Sequence, residues 1–286
     1  MKPKIALFSS FYNESDNISQ VVESIAKQSL RPHAWVIADD GSTDNTYSIL
    51  QGKVHEYNWI HTIRLSAKKQ KDILTAGRGW RAALRLLTAT NETYDYFGKM
   101  DGDIILSPDY FERLILFMSQ NPKVMVCSGF VFVKQAGKWM LESDSFENKP
   151  PNSARGACFL VKRELFTQIS VDNFPDTAPD DFFNIKAKML GYGAAQINVP
   201  MYELRPTTKP SPKKLGRAMR YFGANPIYVA GLALALKLNV KESFNLLQGY
   251  FAFGGRTVRD SDVRKFYSLA EVFRRTMSNH FLSKRS

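Results

Sequence analysis

Tyr94-Asp95-Tyr96-Phe97-Gly98-Lys99-Met100-Asp101-Gly102-Asp103 reads as a short strand that ends on two carboxylates. Side chains alternate faces along an extended segment, so acids one residue apart point the same way. Such a pair at a strand end can hold a hard divalent cation, and the glycine between them lets a phosphate approach bare backbone. An Asp-Gly pair is equally a common turn. The segments around it decide between the two.

Upstream, Lys4 to Ser9 is a short apolar strand, and Asp16 is placed to cap a helix carrying Ile18, Val21, Val22 and Ile25 at helical spacing. Ala34 to Ala38 is a second buried strand. Asp44 is placed to cap a helix with Tyr47, Leu50 and Val54 on one face. Ile60 to Leu65 is a third strand, followed by a helix with Ile73, Trp80, Leu84 and Leu87, and then the strand before Asp101. Strands alternating with helices at this spacing predict an α/β fold with a mostly parallel sheet flanked by helices. Ligands of such sheets bind beyond the carboxyl ends of the strands. Ser9-Ser10, Asp39-Asp40 and Asp101-Asp103 all fall at such ends.

Further along, a helix with Phe111, Leu114, Ile115 and Met118 precedes strands at Val124–Val133, Lys138–Leu141 and Ala157–Val161. Asp180-Asp181 open a helix through Leu190, stopped at Gly191-Tyr192-Gly193. After Pro206, Pro210 and Pro212 the chain becomes helical around Leu215–Leu238 and Ser243–Phe253.

The 286 residues carry 44% hydrophobic and 13% aromatic side chains, the composition of a packed globular core. No stretch reaches the ~18 to 20 apolar residues of a membrane-spanning helix. Met1-Lys2-Pro3-Lys4-Ile5 runs into the first strand without the apolar stretch of a signal peptide. Cys127 and Cys158 have no metal-ligand spacing, and a reduced cytoplasmic setting is expected. The formal charge is +12, yet residues 201–286 hold 16 Lys and Arg against 5 Asp and Glu. That basic third suits an anionic partner or plain solvent exposure.

In Val36-Ile37-Ala38-Asp39-Asp40-Gly41-Ser42-Thr43-Asp44, Asp40 points into the crevice and is a candidate for a nucleobase or ribose contact, whereas Asp44 reads as a cap. Arg155-Gly156-Ala157-Cys158 enters a strand. At Asp180-Asp181 one acid can complement the helix dipole, leaving the other to deprotonate an acceptor hydroxyl. Arg205 could bind phosphate oxygens bidentately, with Lys68, Lys69, Lys71 and Arg78 as further cations. No phosphate loop, dinucleotide fingerprint, zinc motif or histidine triad is present in the sequence.

In order along the chain, Tyr12-Asn13-Glu14, Asp39-Asp40-Gly41-Ser42-Thr43-Asp44, the DxD motif Asp101-Gly102-Asp103 and the acidic pair Asp180-Asp181 resemble family 2 glycosyltransferases of the GT-A fold. The resemblance covers roughly residues 4–205. It implies a nucleotide-sugar donor, a UDP- or GDP-sugar, and a Mg²⁺ or Mn²⁺ ion. By that likeness Ser10 and Asp40 lie near base and ribose, Asp101 and Asp103 hold the metal on the diphosphate, and Asp181 or Asp180 is the base of an inverting transfer. Arg78 and Arg205 assist at the donor, and Arg155 and Gly156 lie on the acceptor side. The likeness divides the chain into residues 1–205, with a donor half of about 1–103 and an acceptor half of about 104–205, and a basic helical extension, 206–286. Ser153-Ala154-Arg155-Gly156-Ala157, Tyr221-Phe222-Gly223-Ala224-Asn225-Pro226 and Gly249-Tyr250 resemble a bacterial branch of the family. That branch carries histidines just before Arg205-Pro206-Thr207, where this chain has Glu203-Leu204, so Glu203 is a candidate to complete the metal shell.

The expected acceptor is a glycan or a polyprenyl-linked sugar, in the synthesis of cell-surface polysaccharide or glycolipid. Apolar stretches Ile227–Leu236 and Phe244–Phe253 beside Lys213, Lys214, Arg217, Arg220, Arg256 and Arg259 suit peripheral attachment to an anionic membrane surface, the inner face of the cytoplasmic membrane. An ordinary helical subdomain would look the same. A nucleic-acid-binding protein would leave Asp40, Asp101, Asp103 and Asp181 unexplained, so no nucleic-acid partner is expected. A nucleotidyltransferase would carry a basic glycine-rich loop after the first strand, where Ser9-Ser10-Phe11-Tyr12-Asn13-Glu14 stands.

Overall fold

The computed structural model describes residues 2–67, 76–90, 92–142, 153–205 and 211–272. The backbone divides into two compact units, Met1–Thr207 and Thr208–Ser286.

In the first unit β1 (Ile5–Phe11), α1 (Ile18–Ala26), β2 (Ala34–Asp39), α2 (Thr46–Glu56), β3 (Ile60–Arg64), α3 (Ala76–Thr88) and β4 (Tyr96–Met100) alternate along the chain. Their strands pair in parallel in the order β3-β2-β1-β4. β1 and β2 are buried along almost their whole length, as the runs Ile5–Phe8 and Ala34–Ala38 require of strands covered on both faces. α1 buries Ile18, Val21, Val22 and Ile25, the four positions its periodicity marks. Asp16 does not cap it: the Glu14 carbonyl accepts from the N–H groups of Asn17 and Ile18 instead. Asp44 sits one residue before the cap position of α2. Its carboxylate accepts from the N–H of Thr46 at 3.0 Å and of Ser15 at 3.2 Å, so it ties two loops together. Ile73 lies outside the described residues.

β5 (Ile104–Leu106), α4 (Tyr110–Gln120), β6 (Val124–Gln135), β7 (Lys138–Leu141), β8 (Cys158–Lys162), α5 (Arg163–Phe166), α6 (Pro179–Met189) and β9 (Gly193–Glu203) follow. The sheet continues from β4 through β8, β6 and β9 to β5, with β7 on β6. β8 runs antiparallel to β4 and β6, whereas β9 is parallel to β6. Consecutive strands β4 and β5 therefore lie apart. The chain leaves the sheet at Asp101 and rejoins it beside β9. Sequence periodicity announces neither β5, which has three residues, nor β9, whose Pro200 falls at a register shift against Ser128–Phe130. A proline's missing N–H is tolerated at such an irregularity.

The second unit holds α7 (Pro212–Tyr221), α8 (Pro226–Ala235), α9 (Val240–Phe251) and α10 (Ser261–Phe266). The stretch expected over Leu215–Leu238 is two helices, divided where Pro226 opens α8. Ser211, Asn225, Asn239 and Asp260 each cap one of the four with a side-chain oxygen. Gly216 and Gly249 let α7 and α9 touch backbone to backbone: a Cβ on Gly216 would collide with the Leu246 carbonyl, and one on Gly249 with that of Lys213. Pro206, Thr207 and Pro210 lie outside the described residues. Among the described residues no helix is long and apolar enough to cross a membrane.

Candidate active site

β2, β1 and β4 are adjacent and parallel, so Asp40, Ser10 and Asp101 emerge at one edge of the sheet. The Asp40 N–H donates to the Phe11 carbonyl at 2.7 Å, fixing the two strand ends to each other. Its side chain is almost wholly buried, which a carboxylate tolerates only beside a partner. Arg78 of α3 supplies that partner, with Nε 2.5 Å from Asp40 Oδ1 and Nη2 donating to the Ser66 carbonyl at 2.6 Å. Glycines flank this arginine for a steric reason. A Cβ on Gly79 would collide with Ser10 Oγ, and one on Gly77 with the backbone of Asp176. The first turn of α3 thus lies directly on the end of β1 and delivers Arg78 to Asp40. Ser10, Asp40 and Arg78, three sequence-derived candidates, come together here. Lys68, Lys69 and Lys71 lie outside the described residues.

Asp101-Gly102-Asp103 forms a turn between β4 and β5, so the two acids sit past the strand rather than on an extended segment. Main-chain bonds stitch the turn at both ends: Asp101 N–H to the Ala157 carbonyl at 2.9 Å, and Leu204 N–H to the Asp103 carbonyl at 2.8 Å. Gly102 is buried, and a Cβ there would stand 2.8 Å from Glu14 Cγ and 2.9 Å from the Phe11 ring. Protein atoms fill the space that the sequence reading reserves for phosphate. The glycine serves packing.

Both carboxylates of the turn are ion-paired. Lys99 Nζ lies 2.5 Å from Asp101 Oδ1 and donates to the Gly156 carbonyl at 2.7 Å, with the Trp80 ring 5.5 Å away. Arg205 donates through Nε to Asp103 Oδ2 at 3.0 Å, and its Nη2 pairs with Glu14. Desolvation raises the Asp101 pKa above its ordinary value, the Lys99 charge opposes it, and the negative charges of Asp103 and Asp180 add to it. With 42% of the side chain accessible, water tempers that shift. Burial likewise raises Glu14, against a hydrogen bond from Asn17 and the charge of Arg205. Lys99 is the functional candidate that sequence reading passes over. Its signal was present, since a lone cation in an apolar strand stands two residues before the first acid of the turn.

A cavity of about 360 Å³ is lined by Lys99, Asp101, Arg155, Gly156, Asp180 and Glu203, with Trp80 among its walls. Asp180 and Asp181 occupy the first turn of α6, behind Ala178 in a left-handed conformation at the cap position. Asp180 reaches the cavity, whereas Asp181 is not part of its lining. Gly156 makes room for it: a Cβ there would stand 2.9 Å from Asp180 Cγ. Arg155 is anchored by its N–H on Ser128 Oγ at 2.7 Å, and its guanidinium pairs with Glu142.

Among the described residues no three His, Cys, Asp or Glu side chains gather as a metal cluster, so Asp101, Asp103 and Glu203 do not make a protein-only cage. Two carboxylates are nonetheless the donor set that suits Mg²⁺ or Mn²⁺ when substrate phosphates and water fill the remaining positions. Asp101 and Asp103 fit that role, and Glu203 stands on the cavity wall.

The model of glycosyl transferase family 2 matches residues 8–174, from β1 across the Asp40 strand end and the Asp101–Asp103 turn. EpsE of Bacillus subtilis (strain 168) is 26% identical over 119 residues, which is 42% of this chain and 40% of EpsE, so the match spans less than half of that relative. TarS 1-349 of S. aureus in complex with UDP-GlcNAc superposes with a TM-score of 0.57 at 16% identity, covering 87% of this chain and 80% of that 1-349 chain. The mannosyltransferase PcManGT from Pyrobaculum calidifontis, in complex with GDP-Man and Mn²⁺, gives a TM-score of 0.56 at 17% identity, covering 98% and 81%. Identities this low speak for the fold alone, which is the GT-A fold. With more than half of its length matched by one family model, and the strand-end acids inside that match, the chain belongs to glycosyl transferase family 2.

Proposed function

We propose that the protein is a metal-dependent, inverting glycosyltransferase that moves a sugar from a UDP- or GDP-sugar to an acceptor hydroxyl or lipid phosphate. The product belongs to a cell-surface polysaccharide or glycolipid, built at the inner face of the cytoplasmic membrane. The observation that carries the reading is that Asp180 and Asp101 line one cavity. A base and a diphosphate-binding turn then face the same space from different elements.

Asp40 and Ser10 receive the nucleoside, with Arg78 holding the Asp40 carboxylate in place. Asp101 and Asp103 would hold a Mg²⁺ or Mn²⁺ ion on the diphosphate, where it neutralises charge on the leaving group. Arg205, now paired to Asp103 and Glu14, supplies a guanidinium for the same phosphates. Asp180 is the base. It takes the proton of an acceptor hydroxyl as the acceptor oxygen bonds to the anomeric carbon, and the nucleoside diphosphate departs with the electron pair of the broken bond. Arg155 and Gly156 border the space the acceptor enters. Attack opposite the leaving group inverts the anomeric centre, which NMR of the product reads directly.

A thermal-shift panel of UDP, GDP and their sugars with and without Mn²⁺ tests the donor site. At least one nucleotide should raise the melting temperature in a Mn²⁺-dependent manner, and Asp103→Ala should lose that increment while retaining its own unliganded transition. Absence of any shift across the panel would sink the reading.

A further inference from the structure

We propose that the second unit carries a membrane-docking face: the exposed apolar stripes of α8 and α9 enter the headgroup region of an anionic bilayer. The helix α8 contains no charged residue, yet only Val229 and Ala233 of it are buried. Its outward positions recur at helical spacing as Ile227, Ala230, Gly231 and Leu234, and Leu234 is 82% exposed. On α9, Val240, Phe244 and Phe251 continue the pattern at 89%, 65% and 68% exposure. A surface helix ordinarily turns its charged side outward. These two present apolar side chains to solvent, which marks a contact surface.

Charge selects the partner. Residues 208–286 hold 15 Lys and Arg against 4 Asp and Glu, a net +11. Lys237, in the connection between α8 and α9, and Lys241, in the first turn of α9, are exposed, and Lys213 and Lys214 are exposed on α7. A second copy of the chain would bring two such strongly positive units together. A nucleic acid would satisfy the cations and leave Leu234, Val240 and Phe244 in water. An anionic bilayer satisfies both, taking the apolar side chains below its headgroups and the cations at them. The ten residues of α8 span about 15 Å at the rise of an α-helix, half of a hydrocarbon core of about 30 Å, so the helix lies in the interface. This inference does not depend on the donor-site reading and can fail separately.

Flotation of the full chain with phosphatidylcholine vesicles, with and without phosphatidylglycerol, tests it. Binding should require phosphatidylglycerol at low salt and weaken as salt rises. A Leu234→Gln, Phe244→Gln, Phe251→Gln variant should bind such vesicles at least about tenfold more weakly with its melting temperature unchanged, since large apolar side chains no longer enter the interface. Lys237→Gln with Lys241→Gln should reduce the salt-dependent part of the binding. The proposal is overturned by absence of binding at low salt, by a stripe variant that binds as well as the parent, or by light scattering that shows a dimer which the stripe variant dissolves.

Discussion

A buried lysine beside a half-exposed aspartate changes what each can do. Lys99 holds Asp101 and the Gly156 carbonyl at once, so it links the Asp101–Asp103 turn to the wall of the cavity that Asp180 lines. The acids themselves were legible because they stand at strand ends, where a chain motif and a sheet edge coincide. Their partners were not, because an ion pair such as Arg205 with Asp103 joins positions 102 residues apart and leaves no local pattern. Asp180 and Asp181 show the same limit, since adjacency in sequence cannot say which one faces the cavity. Asp180→Asn should keep nucleotide-dependent stabilisation and lower transfer by roughly 10² to 10⁴-fold, whereas Asp181→Asn should retain most of it. A hydroxyl acceptor is the substrate for this assay.

Cys127 and Cys158 are both fully buried, and desolvation pushes the Cys127 thiol up to about 12 and Cys158 further. In the unfolded chain a thiol ionises near pH ~8.5. The folded state therefore keeps protons that the unfolded state loses, and stability is full below that pH and falls as pH rises above it. Each thiol contributes up to about 1.4 kcal/mol per pH unit in that window. Thermal melts should decline above pH ~8.5, less steeply in Cys127→Ala. Neither thiol should react with a disulfide reagent at pH 8 until the chain unfolds.

At the scale of elements, helices with a one-sided stripe and strands buried on both faces were readable, as α1 and β2 show. β9 was not, because Gly193-Ala194-Ala195-Gln196-Ile197-Asn198-Val199-Pro200 neither alternates cleanly nor forms one apolar run. Its strand character comes from pairing with β6 and β5 on either side. The break between α7 and α8 was legible in Pro226 and overridden by the apolar composition around it. Glycine carries more of the helical packing than hydrophobicity suggests. Gly216→Ala puts a methyl into the Leu246 carbonyl and should cost the second unit about 1 to 3 kcal/mol, because backbone cannot move aside as a side-chain tip can. Denaturant unfolding monitored by near-UV circular dichroism would register that loss. An unchanged midpoint would contradict the close crossing of α7 and α9.

On the scale of the whole molecule, the division into units is also a division of charge. Of the +12 total, +11 lies in residues 208–286, leaving the catalytic candidate region nearly neutral. Sequence composition gave the asymmetry, but only the structure shows that Leu234, Val240 and Phe244 face solvent beside those cations. A chain held at a surface by such a face searches for its acceptor in two dimensions. The acceptor's effective concentration then depends on its density in the bilayer and no longer on bulk volume. An acceptor anchored in phosphatidylglycerol-containing vesicles should therefore show a lower KM than its soluble headgroup analogue at equal kcat. The stripe variant should erase that advantage while turning over the soluble analogue normally. The apolar stripe would then set which acceptor molecules are encountered, leaving the cavity to decide which of them react.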